Sequence, residues 1–229
     1  MALGDLVVGH DGRSRCGWCV SAPDYVAYHD DEWGRPVRDD ARLFEMLILE
    51  GAQAGLSWIT ILKKRDNYRR AFAQFDAEKV ARFDARKRAR LMLDEGIVRN
   101  RLKIESTVDN ARAFLRMREQ GSFSDWLWAF VDDEPIVNVP KSMAQVPART
   151  ELSDTISKEL KRRGFRFVGS TIVYAFLQAT GVVDDHLADC FCAGRCPTRA
   201  AHSLTRGRRG RLLVRARAWA CQTASRASP

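Results

Sequence analysis

The chain has 229 residues, nearly half of them hydrophobic, which is enough apolar material to bury the core of one domain or two small lobes. No run approaches the roughly 20 apolar residues that span a bilayer, and the N-terminus lacks a basic segment leading into an apolar one, so a soluble, cytoplasmic chain with no membrane role is expected. The formal charge of +9 does not describe the body: from residue 191 onward there are nine Arg and no Lys, Asp or Glu, and setting those aside leaves 29 basic residues against 29 acidic ones.

In chain order, residues 1–14 read as a flexible lead. Residues 15–40 combine aromatics with turn formers, Pro23 and Pro36 among them, and read as irregular. From 40 to 120 the apolar periodicity is helical, with helices expected at 40–50, 57–74, 76–82, 84–95 and 99–119 and stops at Gly96 and Gly121. Asp39 and Asp40 mark the start of the first, and Ser57 is placed to cap the second. Phe123 to Phe130 gives another helix, the proline-containing stretch 132–147 a crossing loop, and two further helices are expected from Ser153 or Asp154 to Arg163 and from Ser170 to Thr180. No strand run, repeat or heptad array is visible, so the fold class is all-α. Residues 193–229 form an Arg-rich tail with too little apolar bulk to offset ordering entropy, and disorder is expected there.

Three constellations carry chemistry. The first is Leu49-Glu50-Gly51-Ala52-Gln53-Ala54-Gly55-Leu56-Ser57-Trp58, in which Glu50 sits where two apolar helices meet. A carboxylate among apolar neighbours is costly to ionise and calls for a partner. Small residues beside it, with Tyr25, Tyr28, Trp33 and Trp58, suit a slot for a flat ligand. The second is Cys16, His29, His186 and Cys190: two thiolates and two imidazoles match a closed tetrahedral zinc site, structural because no position is left for water. His186 and Cys190 stand four apart, one face of a helix. Cys19, Cys192 and Cys196 are rival ligands. The third is Arg163 to Thr171, where a helix ends at Gly164 and Gly169-Ser170-Thr171 opens the next. Free N–H groups at that helix start, helped by Arg166, suit a phosphate.

Arg15-Cys16-Gly17-Trp18, Ala27-Tyr28-His29-Asp30, Glu32-Trp33-Gly34, Leu43-Phe44-Glu45-Met46, Leu49 to Trp58 and Arg163 to His186 together resemble the 3-methyladenine DNA glycosylase I family, collinearly over residues 15–192. The resemblance implies a helix–hairpin–helix glycosylase fold in two helical lobes, with zinc held by Cys16, His29, His186 and Cys190 tying its ends together. It implies a base pocket of Tyr28, Trp33, Glu50 and Trp58 with Tyr25 beside it, and a hairpin of Gly164, Arg166, Gly169, Ser170 and Thr171 on the DNA backbone. The extra cysteines Cys19 and Cys196 and the tail depart from the family pattern.

The implied reaction is excision of 3-methyladenine from alkylated double-stranded DNA by a monomer, nucleoid-associated if the source is bacterial. Methylation at N3 makes the base cationic, so it is already an activated leaving group, and the protein must mainly flip it out, recognise the cation and admit water. No Lys lies in the pocket segments to form a Schiff base, so cleavage without strand nicking is expected. Glu50 is the expected catalytic group, and Asp184 or Asp185 is a lesser candidate near the sugar. The alternative is a protein of the same fold that binds lesions or DNA without cleaving. A zinc-stapled helical module with no DNA role is disfavoured by the Gly164–Gly169 turn.

Overall fold

The computed structural model describes residues 5–195, and the rest of the Arg-rich tail, Cys196 included, lies outside the described residues. The described chain is mostly helical. The helices are α1 (Pro23–Asp31), α2 (Asp40–Gln53), α3 (Trp58–Ala71), α4 (Ala77–Ala81), α5 (Ala85–Leu91), α6 (Arg101–Arg118), α7 (Phe123–Trp128), α8 (Glu151–Arg162) and α9 (Ser170–Ala179).

At the centre lies α2. Asp39 caps its start by accepting a hydrogen bond from Arg42 N at 2.8 Å. Leu43, Phe44, Met46, Leu47, Ile48 and Leu49 are all buried, so the helix is apolar nearly all round and is enclosed by its neighbours α3, α6, α7 and α9. Asp40 reaches across to accept from Ser122 Oγ and from the backbone N–H groups of Phe123 and Ser124, which fastens α7 to the start of α2. At the other end, Lys103 Nζ donates to the carbonyl oxygens of Ala52 (2.8 Å) and Ala54 (2.7 Å). Those carbonyls belong to the last turn of α2, where a cation is favoured. The last turn of α2, which follows Glu50, is therefore fixed from α6.

Three expectations are corrected. Short strands exist: β1 (Leu6–Val8) pairs antiparallel with β2 (Ser14–Cys16), and β3 (Ile136–Val137) pairs in parallel with β4 (Val183–Asp184). The strand β1 falls within the lead expected to be flexible. Two or three residues are too few for an alternation signal, so nothing in the pattern announced them. Residues 23–31, read as irregular, are helical: Pro23 is at the first helical positions, where its missing N–H is not needed. Ser57 is the N-cap of α3, yet its hydroxyl makes no bond to the helix backbone and pairs instead with Thr60 Oγ1 at 2.8 Å.

Candidate functional site

A cavity of about 290 Å³ opens between α1, α2, the start of α3, α9 and the 143–148 segment. Tyr25, Tyr28, Trp33, Glu50 and Trp58 all line it, so five residues from three separate segments meet in one place. Helix α1 carries Tyr25 and Tyr28 at i and i+3, on one face. The Tyr28 and Trp58 rings lie 5.4 Å apart at 45°. Trp58 Nε1 is a buried donor with no hydrogen-bond partner among the described residues.

Glu50 is 4% exposed, and no hydrogen bond to its carboxyl is found among the described residues. Burial alone pushes its pKa up to about 8. Burial also drives the Tyr28 phenol well above its usual range and Tyr25 up to about 12, so both present neutral hydroxyls. An apolar, aromatic cavity around one carboxyl without a partner is built to receive a cation or a hydrogen-bond donor.

Further residues reach the same cavity, among them Asp185, one of the two lesser carboxylate candidates. Trp18 packs 5.0 Å from both Tyr25 and Trp33 and 5.3 Å from His29, joining the cavity wall to the cysteine–histidine cluster. Asp185 faces in from beyond α9, and its carboxylate accepts from Asn138 Nδ2 (2.8 Å), Tyr174 Oη (2.7 Å) and Gln178 Nε2 (2.7 Å). Asp184 turns elsewhere, its Oδ1 accepting from the backbone N–H of His186 at 3.0 Å. Thr171, expected on the DNA-contacting turn, lines the cavity too.

Cys16, His29, His186 and Cys190 converge with their ligand atoms within 4.8 Å of one another, and all four are buried. Cys190 Sγ lies 3.4 Å from His29 Nε2 and 3.6 Å from His186 Nδ1, and Cys16 Sγ lies 3.8 Å from His186 Nδ1. Tetrahedral zinc with bonds of about 2.3 Å to sulfur and 2.0–2.1 Å to nitrogen has sulfur–nitrogen edges of roughly 3.5 Å, so the donor set fits. The opposite ring nitrogens are also engaged: His29 Nδ1 meets Asp30 Oδ1 at 2.8 Å, with Arg15 holding that carboxylate, and His186 Nε2 faces Trp33 O at 3.2 Å. Such outer contacts fix the tautomers that metal ligation needs. His186 and Cys190 are not on a helix; they stand on turns after β4, so their spacing reflects a loop. Cys19 and Cys192 are buried beside the quartet but belong to no group of four; Cys192 groups with His29 and Asp30 instead.

Gly164 follows the C-cap of α8, Arg163; its φ of +92° is a conformation glycine takes without strain, and Phe165 N donates back to Leu160 O. Gly169 is the N-cap of α9, and a Cβ added there would meet nothing within 4 Å. Ser170 Oγ pairs with Ser153 Oγ at 2.8 Å, so that hydroxyl is used inside the protein. The Arg166 side chain is held by Asp109 at 2.7 Å. No described helix is long and apolar enough to cross a membrane.

The chain matches the family described as methyladenine glycosylase over residues 18–193. It is 52% identical over 179 residues to DNA-3-methyladenine glycosylase 1 of Escherichia coli, covering 78% of this chain and 96% of that protein. It superposes on a crystal structure of 3-methyladenine DNA glycosylase I with a TM-score of 0.77 and 50% identity, covering 78% of this chain and 99% of the other. A variant of a 3-methyladenine DNA glycosylase I solved in complex with 3-methyladenine gives a TM-score of 0.75 and 40% identity, over 77% and 95% of the two chains.

Proposed function

The chain belongs to the methyladenine glycosylase family, and from that membership we propose that it excises 3-methyladenine from alkylated double-stranded DNA, with the aromatic cavity around Glu50 as the base pocket. The observation that carries this reading is a buried carboxyl with no hydrogen-bond partner among the described residues, walled by Tyr25, Tyr28, Trp33 and Trp58. A flipped, cationic base is the ligand that such a wall and such a carboxyl both favour. Glu50 ionises as the cation enters and accepts from its exocyclic amine, while the aromatic faces pack against the ring. Trp58 Nε1 donates to an acceptor on the base.

The reaction breaks the bond between the sugar C1′ and the base N9. N9 keeps the electron pair, so the base departs neutral; water adds to C1′ and loses a proton. Positive charge thus moves from the base to the sugar during cleavage, and only a contact that strengthens along that path speeds the chemical step. Glu50 faces the base and contributes mainly to capture. Asp185, held by three donors at the cavity wall, is placed to follow the charge onto the sugar. Cleavage is monofunctional: among the described residues, no Lys lines the cavity.

Cys16, His29, His186 and Cys190 would hold a structural zinc; so held, they would tie the segment before α1 to the segment after β4 and, through Trp18 and Trp33, steady one wall of the pocket. The α8–α9 pair works as a helix–hairpin–helix on the phosphate backbone, with the open space at Gly169 admitting a phosphate to the start of α9. Residues 15–192 form the glycosylase domain of a monomer acting in the cytoplasm. Titration of free 3-methyladenine, followed by tryptophan fluorescence, tests the pocket. Saturable quenching that weakens about tenfold or more in Trp58→Ala is expected, on the scale of a lost stacking face. Equal quenching in both proteins would remove Trp58 from the site.

A further inference from the structure

Helix α6 buries an asparagine in the middle of an apolar stripe: Asn110 is 3% exposed, with Val108, Ala111 and Phe114 buried around it. Asparagine disfavours a helix interior unless its side chain is used elsewhere. Here both ends of the amide are spent on one residue of the α8–α9 turn. Asn110 Nδ2 donates to Arg166 O at 3.0 Å, and Arg166 N donates to Asn110 Oδ1 at 2.7 Å.

The turn needs this support. Phe167, the next residue, has φ of +54°, a conformation a bulky side chain adopts only when its surroundings enforce it. Ser157 Oγ donates to Val168 O at 2.6 Å from α8, and Gly51 packs so closely that a Cβ there would stand 3.3 Å from Phe167 Cβ. The turn is thus pinned from α6, α8 and α2, and the residue it meets on α2 directly follows Glu50. Of the three, Asn110 alone supplies both a donor and an acceptor to the backbone.

We propose that Asn110 is a positioning residue for the DNA grip: its amide holds Arg166 and Phe167 so that Gly169 and the first N–H groups of α9 present themselves to a phosphate. The proposal rests on the reading of this turn as the backbone-gripping hairpin. A helix start binds an anion only if its N–H groups point at the ligand, and the preceding turn sets that direction.

The test measures the affinity of the full chain for unmodified duplex and, separately, for free 3-methyladenine. Asn110→Ala should weaken duplex binding roughly tenfold, as expected for losing a paired donor and acceptor, and leave free-base affinity within about twofold because backbone contacts do not read the base. Asn110→Asp keeps the acceptor and shape but sets an oxygen against Arg166 O, so it should weaken duplex binding at least as much. Faster hydrogen exchange at the Arg166 amide in both variants reports the released turn. Gly169→Val, whose added bulk meets no protein atom at its Cβ, separates the two ideas. If Gly169→Val weakens duplex binding and neither Asn110 variant does, the role of Asn110 is refuted and the hairpin reading stands. If Gly169→Val has no effect, the hairpin reading fails and takes the proposal with it. Parallel loss of duplex and free-base binding in the Asn110 variants would mean a general packing role and overturn the proposal.

Discussion

Removing the charge of Glu50 while keeping its shape is the most informative perturbation of the pocket. Burial pushes the Glu50 carboxyl up to about 8, so at pH 6 only about 1% would be ionised, at pH 7 about a tenth and at pH 8 about half. A base methylated at N3 within DNA stays cationic across that range. If capture requires the ionised form, kcat/KM for excision should rise about fifty-fold from pH 6 to pH 8 and level off within a further factor of two. Glu50→Gln has nothing to titrate there and should give a flat profile. At pH 8 it should be slower by one to two orders of magnitude, the scale of a lost charge-assisted hydrogen bond of about 1.5–3 kcal/mol. The assay is excision of 3-methyladenine at subsaturating duplex, with duplex affinity measured at each pH to confirm that the grip itself is unaffected. A wild-type rate that falls above pH 8 would refute the reasoning. It would mean that the protonated acid is the working form, donating to N7 of the base, and a glutamine that mimics that pattern would then remain active.

The same burial makes a stability prediction of opposite sense. The folded carboxyl binds its proton up to about pH 8, whereas the unfolded one releases it near 4.5, so its contribution to stability is complete below 4.5 and is lost as pH rises through 8. Glu50→Gln should therefore become progressively more stable than wild type between pH 5 and pH 9, by up to about 4 kcal/mol in denaturant unfolding. At the metal cluster, elemental analysis of the purified protein should find one zinc per chain, and His186→Ala should abolish it and lower the melting temperature by well over 5 °C, because a structural metal is coupled to folding. Gly34 sits at φ +75° with its missing Cβ 3.0 Å from the His186 ring. Gly34→Ala should cost about 1–2 kcal/mol from backbone strain alone and speed zinc loss to a chelator; unchanged release would show that the ring is free to shift.

Much of this arrangement was legible because it depends on local chemistry. Asp39 announced α2, its unbroken apolar face announced a buried helix, and the small residues after Glu50 announced a space. The thiols and imidazoles at the two ends of the body were a recognisable donor set despite the distance between them. What the local pattern does not encode depends on tertiary packing or on very short elements. Helix α1 is rich in Tyr, Asp and His and has little apolar periodicity, so in sequence Pro23 reads as a turn former although it is well placed to begin a helix. The spacing of His186 and Cys190 implied a helix where a turn brings the same atoms together. Trp18 reaches the cavity from a segment whose approach no local pattern encodes, and packing beyond α9, not local pattern, singles out Asp185 from Asp184 at its wall. Asn110 carried a faint signal, a polar side chain in an apolar stripe, but its partner lies 56 positions away.

The claim that the cavity around Glu50 releases a methylated base is tested most directly by single-turnover incubation of excess protein with methylated duplex. Free base is resolved by chromatography, and the strands are inspected before and after alkali. Wild type should release 3-methyladenine and leave strands that break only on alkaline treatment, while Glu50→Gln at pH 8 should lag by one to two orders of magnitude with duplex affinity unchanged. Tight binding of the methylated duplex with no free base over many hours would contradict the account and leave a lesion-binding protein in its place.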